Sequence, residues 1–311
     1  DADGLTSAAV AATALRRAGI AFETVFKKQL DETEIASIAA REYDTVLFTD
    51  FGSGQLDVIA AHERAGDFTP VIADHHQPAD AETEYHLNPL LEGIDGASEL
   101  SGAGASYVLA RALGDATEGS VTGTRAASET SREQGETTNG SLSEQRAESD
   151  TPATDGGAVA AETEDPAGDN RDLAGLAVVG AVGDMQAVGG ELVGANAGLV
   201  EEGIDAGVLE EGTDLSLYGK QTRPLPKLLE YATEVPIPGI SNDQAGATRF
   251  LEGLGLDLKA EGDWRTWADL SDDERRTVAS GLVRRAVERG VPADKIETLI
   301  GTTYTLTAEP R

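Results

Sequence analysis

Cysteine is absent from the 311 residues. Its absence removes disulfides, thiolate nucleophiles and cysteine-ligated zinc or iron–sulfur sites together, leaving aspartate, glutamate and histidine as metal ligands. No run approaches the roughly 20 apolar residues that span a bilayer, and no charged leader followed by an apolar stretch opens the chain. A cytoplasmic protein with no membrane contact is therefore expected. Positive charge is also scarce: 56 acids face 24 bases, of which six are lysine, for a net charge of −32. Such a surface repels polyanions at low ionic strength. The acids are scattered over every segment instead of gathered in a tail, which reads as halophilic adaptation to a salt-saturated cytoplasm. There the Debye length falls to ~3 Å at 1 M salt, and net charge no longer prevents phosphate binding. With 40% hydrophobic residues, the chain is long enough for one large or two smaller domains with a real core.

Two of the four histidines are adjacent, in Val71-Ile72-Ala73-Asp74-His75-His76. The apolar run before them predicts a buried strand, so Asp74, His75 and His76 fall where a strand gives way to a loop. In open α/β sheets, that edge is where ligands bind.

Other segments bring acids to comparable places. Asp1 and Asp3 precede a helix over Leu5–Ala18 that closes on Arg16, Arg17 and Gly19. The chain starts on Asp1 without a methionine and reads as a fragment, whose first helix is expected to follow a strand lying upstream. Ile20–Phe26 predicts a strand, Asp31–Arg41 a helix, and Thr45–Thr49 a strand that delivers Asp50. Gln55–Ala65 is the next helix, Tyr85–Leu87 a short edge strand, and Leu100–Leu109 the start of a small-residue helix. This rhythm predicts a parallel sheet. Leu173–Val182 reads as a buried helix ending at Asp184, and Glu191–Glu202 as another helix. His86 reads as a surface or core histidine, and His62, mid-helix, as solvated.

Residues 116–170 differ in kind: Val121, Leu142 and Val159 are their only large aliphatics, with 12 acids against three arginines and no aromatic. Such a segment cannot bury enough surface to offset chain entropy, and disorder is expected. Beyond Gly203, short helices alternate with Pro and Gly turns, Trp264 and Trp267 serve local packing, and Thr302–Leu306 is a strand-like run with nothing after it to pair with. The fold class is thus α/β. A parallel-sheet domain with flanking helices covers 1–205, and a mostly helical connector covers 206–311.

Asp1, Asp3, Asp50, Asp74, His75, His76 and Asp184 are expected along one sheet edge. Taken singly, each carboxylate reads as a cap or a surface charge; recurrence at four successive element ends is what marks a site. Oxygen ligands with a minority of imidazole suit Mn2+ or Mg2+. A dry cleft with so many carboxylates suits two ions ~3.5–4 Å apart, and metal-assisted hydrolysis at phosphorus is the implied chemistry.

Asp1-Ala2-Asp3-Gly4, Phe48-Thr49-Asp50, Asp74-His75-His76 and Gly183-Asp184-Met185 resemble, in order, the four motifs of the DHH phosphoesterase superfamily. Leu100–Leu109 is similar to the glycine-bearing helix of RecJ-type single-strand exonucleases, and Leu217–Leu225 to archaeal members of that group. The resemblance implies a Mn2+-dependent exonuclease acting on single-stranded DNA or RNA in replication or repair. By it, Asp1 and Asp3 would each ligate one Mn2+, Asp50 would bridge both ions, and His75 and Asp184 would complete the second. Asp74 would orient the histidine pair and His76 would face the substrate phosphate. It further implies a C-terminal substrate-binding domain beyond this chain. Two other functions are compatible with it: a phosphodiesterase for short oligonucleotides or cyclic dinucleotides, and a non-catalytic replisome scaffold that binds the GINS complex.

Overall fold

The computed structural model describes residues 1–41, 43–129, 168–187, 190–233 and 235–308, the side chains of 117–129 excepted. The chain divides into two compact units: Asp1–Gln186 with Gly194–Val208, and Ala187–Val193 with Leu209–Ala308. Among the described residues, no helix is long and apolar enough to cross a membrane.

The first unit contains α1 (Ala2–Arg17), α2 (Glu32–Ala39), β1 (Thr45–Thr49), α3 (Leu56–Ala65), β2 (Thr69–Ala73), β3 (Tyr85–Leu87), α4 (Gly102–Glu129), α5 (Ala174–Gly183) and α6 (Ala195–Asp205). Its strands pair in parallel in the order β1-β2-β3, with Thr49 beside Ala73 and Ala73 beside Leu87. Phe48, Leu56, Ile59, Phe68 and Ile72 form the core between the sheet and α3. Each such buried side chain contributes on the order of 1.5–3 kcal/mol. His62, expected in solvent, stacks on Phe68 and hydrogen-bonds to Asp67.

Small residues let α1, α4 and α5 pack closely. Along α1 the buried positions are Asp3, Ser7, Val10, Ala11 and Ala14, a stripe of helical period. A Cβ on Gly180 of α5 would come within 2.6 Å of both Asp3 Oδ1 and Thr6 Oγ1. Glycine is therefore what allows α5 to lie directly against the acidic end of α1.

Two segments differ from their expected form. Residues 20–26 make no strand: Ile20, Phe22, Val25 and Phe26 are exposed, and no described strand pairs with them. The alternation fits a strand template, but a strand needs a neighbour for its backbone groups. The acidic insertion is also shorter than its composition suggests. α4 continues to Glu129, and at the far side Asn170 is buried, donating to Ala110 O at 2.8 Å and accepting from Arg17 at 3.0 Å. Arg17 also holds Asp172 bidentately. Averaging composition over a window blurs such anchors into the acidic tract. The expected disorder of 130–167 lies outside the described residues.

The second unit contains β4 (Leu209–Leu215), α7 (Leu225–Glu230), α8 (Gln244–Gly253), the short strands β5 (Lys259–Ala260) and β6 (Asp263–Trp264), α9 (Asp272–Glu288), α10 (Ala293–Glu297) and β7 (Ile300–Leu306). The strand-like run at the end of the chain does have a partner. β7 pairs antiparallel with β4, from Leu209 beside Leu306 to Leu215 beside Ile300. The partner carries Glu-Glu-Gly-Thr-Asp in its middle, a composition that reads as a turn. Leu215, Leu225, Leu228, Ile237, Leu251, Trp267, Val278 and Leu282 belong to a core of this unit's own. Trp267 is buried as expected; Trp264 is half-exposed with Lys259 over its ring.

Candidate metal centre

Two backbone hydrogen bonds extend the ladder one step past the strand ends: Asp50 N donates to Ala73 O at 3.0 Å, and Asp74 N to Leu87 O at 3.1 Å. They bring Asp50 and Asp74 to the carboxyl edge of the sheet. Asp50 then turns with φ 58, a left-handed conformation uncommon for a residue other than glycine, and is almost fully buried.

The two oxygens of Asp74 are fully engaged. Oδ2 accepts from Ser53 N at 2.9 Å; Oδ1 accepts from His75 N at 2.8 Å and lies 2.8 Å from His76 Nδ1. Burial pushes the Asp74 pKa up, but the donors from His76 and Ser53 outweigh it and hold the carboxyl at about 2. The same bond raises the His76 pKa, against its partial burial. With Nδ1 bound to Asp74, His76 presents Nε2 outward from a side chain that is 58% exposed.

His75 is directed oppositely. Its Nδ1 lies 2.6 Å from Gly96 O. A carbonyl only accepts, so Nδ1 carries the proton and the neutral ring offers the Nε2 lone pair. Facing Nε2 are Asp50 Oδ1 at 3.3 Å, Asp3 Oδ2 at 3.6 Å and Asp184 Oδ2 at 3.8 Å. Asp3 enters from α1 with both oxygens on the start of α4, accepting from Gly102 N at 2.8 Å and Ala103 N at 2.9 Å. Asp184 follows α5 and accepts from Gln186 Nε2 at 2.9 Å.

Lone pair and carboxylates repel one another unless something positive lies between them. Among the described ion pairs, none joins a lysine or arginine to Asp3, Asp50 or Asp184, and buried Asp50 Oδ1 has no hydrogen-bond donor. Only protons, on His75 Nε2 or on one of the carboxylates, or a cation from outside meet this need. The titration behaviour carries the same signature. Burial, then the Asp50 charge, raises Asp3 to about 6. Burial lowers the His75 pKa, but contact with Asp50, the Gly96 carbonyl and the charge of Asp3 override it and raise the ring to about 9. Space is kept open by glycine: a Cβ on Gly102 would fall onto the Asp50 carboxylate.

The candidate ligand atoms of Asp3, His75 and Asp184 lie within 4.8 Å of one another, as do those of Asp50, Asp74, His75 and His76. Asp1 belongs to neither group. It is exposed and caps α1, Oδ1 accepting from Gly4 N at 2.9 Å. Even so, a Cβ on Gly4 would lie 3.2 Å from both Asp1 Oδ1 and Asp50 Oδ2, so the two carboxylates flank one glycine. The donor set, the orphaned oxygen and the glycine-lined space fit divalent cations.

Residues not foreseen in the sequence stand behind these groups. Buried Gln186 donates to Gly96 O at 2.9 Å as well as to Asp184, and accepts from Asn196 Nδ2 at 2.7 Å. Asn88 Nδ2 donates to Ser53 Oγ at 2.8 Å and to His76 O at 2.9 Å, and Ser53 Oγ lies 2.9 Å from His86 Nε2. His86 thus supports the Asp74 side of the site. The one available signal was proximity in sequence, since Gln186 lies two residues after Asp184 and Asn88 two after His86.

A parallel α/β unit that gathers carboxylates and an imidazole at the carboxyl edge of its sheet has the side-chain groups that could hold divalent metal ions. Residues 1–129 match the family model described as DHH family, N-terminal domain, and residues 217–300 match the DHH-CID domain. The chain belongs to the DHH phosphoesterase superfamily, whose enzymes bind divalent metals. A relative, the uncharacterized protein MJ0831 of Methanocaldococcus jannaschii, is 24% identical over 292 residues, covering 91% of this chain and 51% of the relative. The chain thus spans about half the length of the curated protein it matches.

Proposed function

We propose that this chain carries the catalytic part of a Mn2+-dependent, RecJ-like nuclease that removes nucleotides from single-stranded DNA or RNA. The observation that carries the reading is His75 Nε2 within 3.8 Å of three carboxylates, with no lysine or arginine among the described residues paired to them. Asp1, Asp3, Asp50, His75 and Asp184 are the residues that would hold two ions. When bound, the ions would act as Lewis acids toward the phosphodiester and lower the pKa of the attacking water.

The remaining work falls to the chain. The Gly96 carbonyl fixes the His75 tautomer that leaves Nε2 free, which is how partners behind a metal site raise its affinity. Asp74 sets the orientation of His76 and favours its protonated form, so that Nε2–H can donate to a phosphate oxygen or to the leaving oxygen. Gly102 and Ala103 donate to Asp3 and keep it in place as an acceptor.

The test is hydrolysis of end-labelled oligonucleotides by the full-length protein with and without Mn2+, for the parent and for Asp50→Ala. Metal-dependent shortening that the substitution abolishes supports the reading; activity unaltered by Asp50→Ala sinks it. Turnover that rises as the oligomer shortens to two or three residues would favour a phosphodiesterase of short oligonucleotides. Metal uptake without hydrolysis of any length would favour a replisome scaffold.

A further inference from the structure

We infer that Met185 is a substrate-contacting residue, the apolar surface against which the terminal nucleobase packs beside the metal centre. The inference rests on the nuclease reading above and deepens it. Met185 is the chain's one methionine. It closes α5: Asp184 N donates to Gly180 O at 2.8 Å, Met185 N to Val182 O at 3.1 Å, and Gln186 N to Ala181 O at 3.0 Å. In this termination the residue just past the helix adopts a left-handed backbone, the place where glycine is favoured because it has no Cβ. Met185 adopts that conformation with φ 58.

Its side chain gains nothing in return from the fold. It is 85% exposed, while its neighbour Gln186 is wholly buried. A residue that both strains the backbone and leaves a thioether in water has no stabilising role to explain its presence. Its position does offer one: the preceding residue is Asp184, whose carboxylate reaches toward His75 Nε2. An exposed apolar side chain directly after Asp184 has no use for an inorganic phosphate, but it suits the flat apolar face of a base. Methionine is unbranched and polarizable and packs well against aromatic rings. The buried Gln186 fixes the backbone from which it projects.

The experiment compares parent, Met185→Gly and Met185→Leu in the full-length protein. The substrates are a single-stranded oligonucleotide and the same oligonucleotide made abasic at both terminal nucleotides, with Mn2+ present. Melting of each metal-free variant is measured alongside. Met185→Gly is expected to melt at or above the parent temperature, because glycine relieves the strain. On the normal oligonucleotide its kcat/KM should fall about ten-fold, chiefly through KM. On the abasic substrate, parent and glycine variant should agree within about two-fold, and Met185→Leu should recover most of the loss. The inference is overturned if the glycine variant matches the parent on the normal substrate, slows both substrates equally, or melts lower. A parent that cleaves neither substrate overturns the nuclease reading itself, and this inference with it.

Discussion

In the unit that runs to Ala308, Asp214 is received by Trp267 Nε1 at 2.8 Å, Lys220 Nζ at 3.0 Å and Leu215 N at 2.7 Å. Arg265 likewise meets both oxygens of Glu274, which also closes the capping box at Ser271. In the unit that starts at Asp1, Asp3, Asp50 and Asp184 crowd around one imidazole, with no lysine or arginine among the described residues paired to them. The first arrangement settles its charge inside the chain. The second leaves its charge to be settled by protons or metal ions, so its stability depends on the medium.

Substituting one acid in each unit should have opposite consequences for stability. Asp50→Asn keeps a residue tolerant of positive φ and removes one negative charge from the cluster. Mn2+-dependent hydrolysis should drop on the order of 10²–10³-fold. Above pH 9, where His75 has lost its second proton and no longer offsets the acids, the metal-free protein should melt a few degrees higher, because the repulsion among the carboxylates is relieved. Activity assays and calorimetry without metal check the pair; a lower melting temperature for Asp50→Asn would show that the acids of this unit are stabilising like those of the other. Asp74→Ala releases His76 and the Ser53 backbone while leaving the faces of the other carboxylates intact. About 10–100-fold in metal affinity or turnover should be lost, as read by Mn2+ titration and steady-state rates.

Asp214→Ala strands the Trp267 N–H and the Lys220 ammonium in a partly buried place. Denaturant unfolding should show a loss of about 1–3 kcal/mol, with Mn2+ affinity unchanged within about two-fold. A large change in metal affinity would blur the distinction between the two units.

The mildest test uses pH. The Asp3 pKa is raised to about 6 and that of His75 to about 9. A raised pKa means that the folded state binds its proton more tightly than the unfolded one, so the stabilisation is complete below the unfolded pKa and disappears as pH passes the folded value. For Asp3 this loss runs between about pH 4 and 6, and for His75 between about pH 6.5 and 9. Asp74, lowered to about 2, acts in the opposite direction: its contribution is present above about pH 4 and is lost as pH falls through 2. The metal-free melting temperature should therefore decline from pH 5 to 9, and saturating Mn2+ should flatten that slope, because metal replaces the protons. A slope unaffected by Mn2+ would place the titrating groups elsewhere.

The order of the acids along the chain was legible because apolar runs of strand and buried-helix length end at Asp50, Asp74 and Asp184. So was the small-residue character of α4 and α5, written in Gly102, Gly104, Gly175 and Gly180. Less legible was anything that needs a partner distant in sequence. The run at 20–26 has strand periodicity and no strand among the described residues to pair with, whereas Leu209–Leu215 looks like a turn and is a strand because Ile300–Leu306 pairs with it. Gln186 and Asn196 are ordinary amides until both are buried against the Gly96 carbonyl and each other.

Local chemistry along the polypeptide determined which side chains could serve a divalent metal, because residue type, element ends and the lack of cysteine are properties of short stretches. Tertiary structure decided which of those side chains actually face one another: Asp3 on the start of α4, Asp74 turned to its own histidine, Asp1 left at the cap of α1. Convergence within 4 Å is set by packing between helices far apart in the chain, and no periodicity within one segment encodes it.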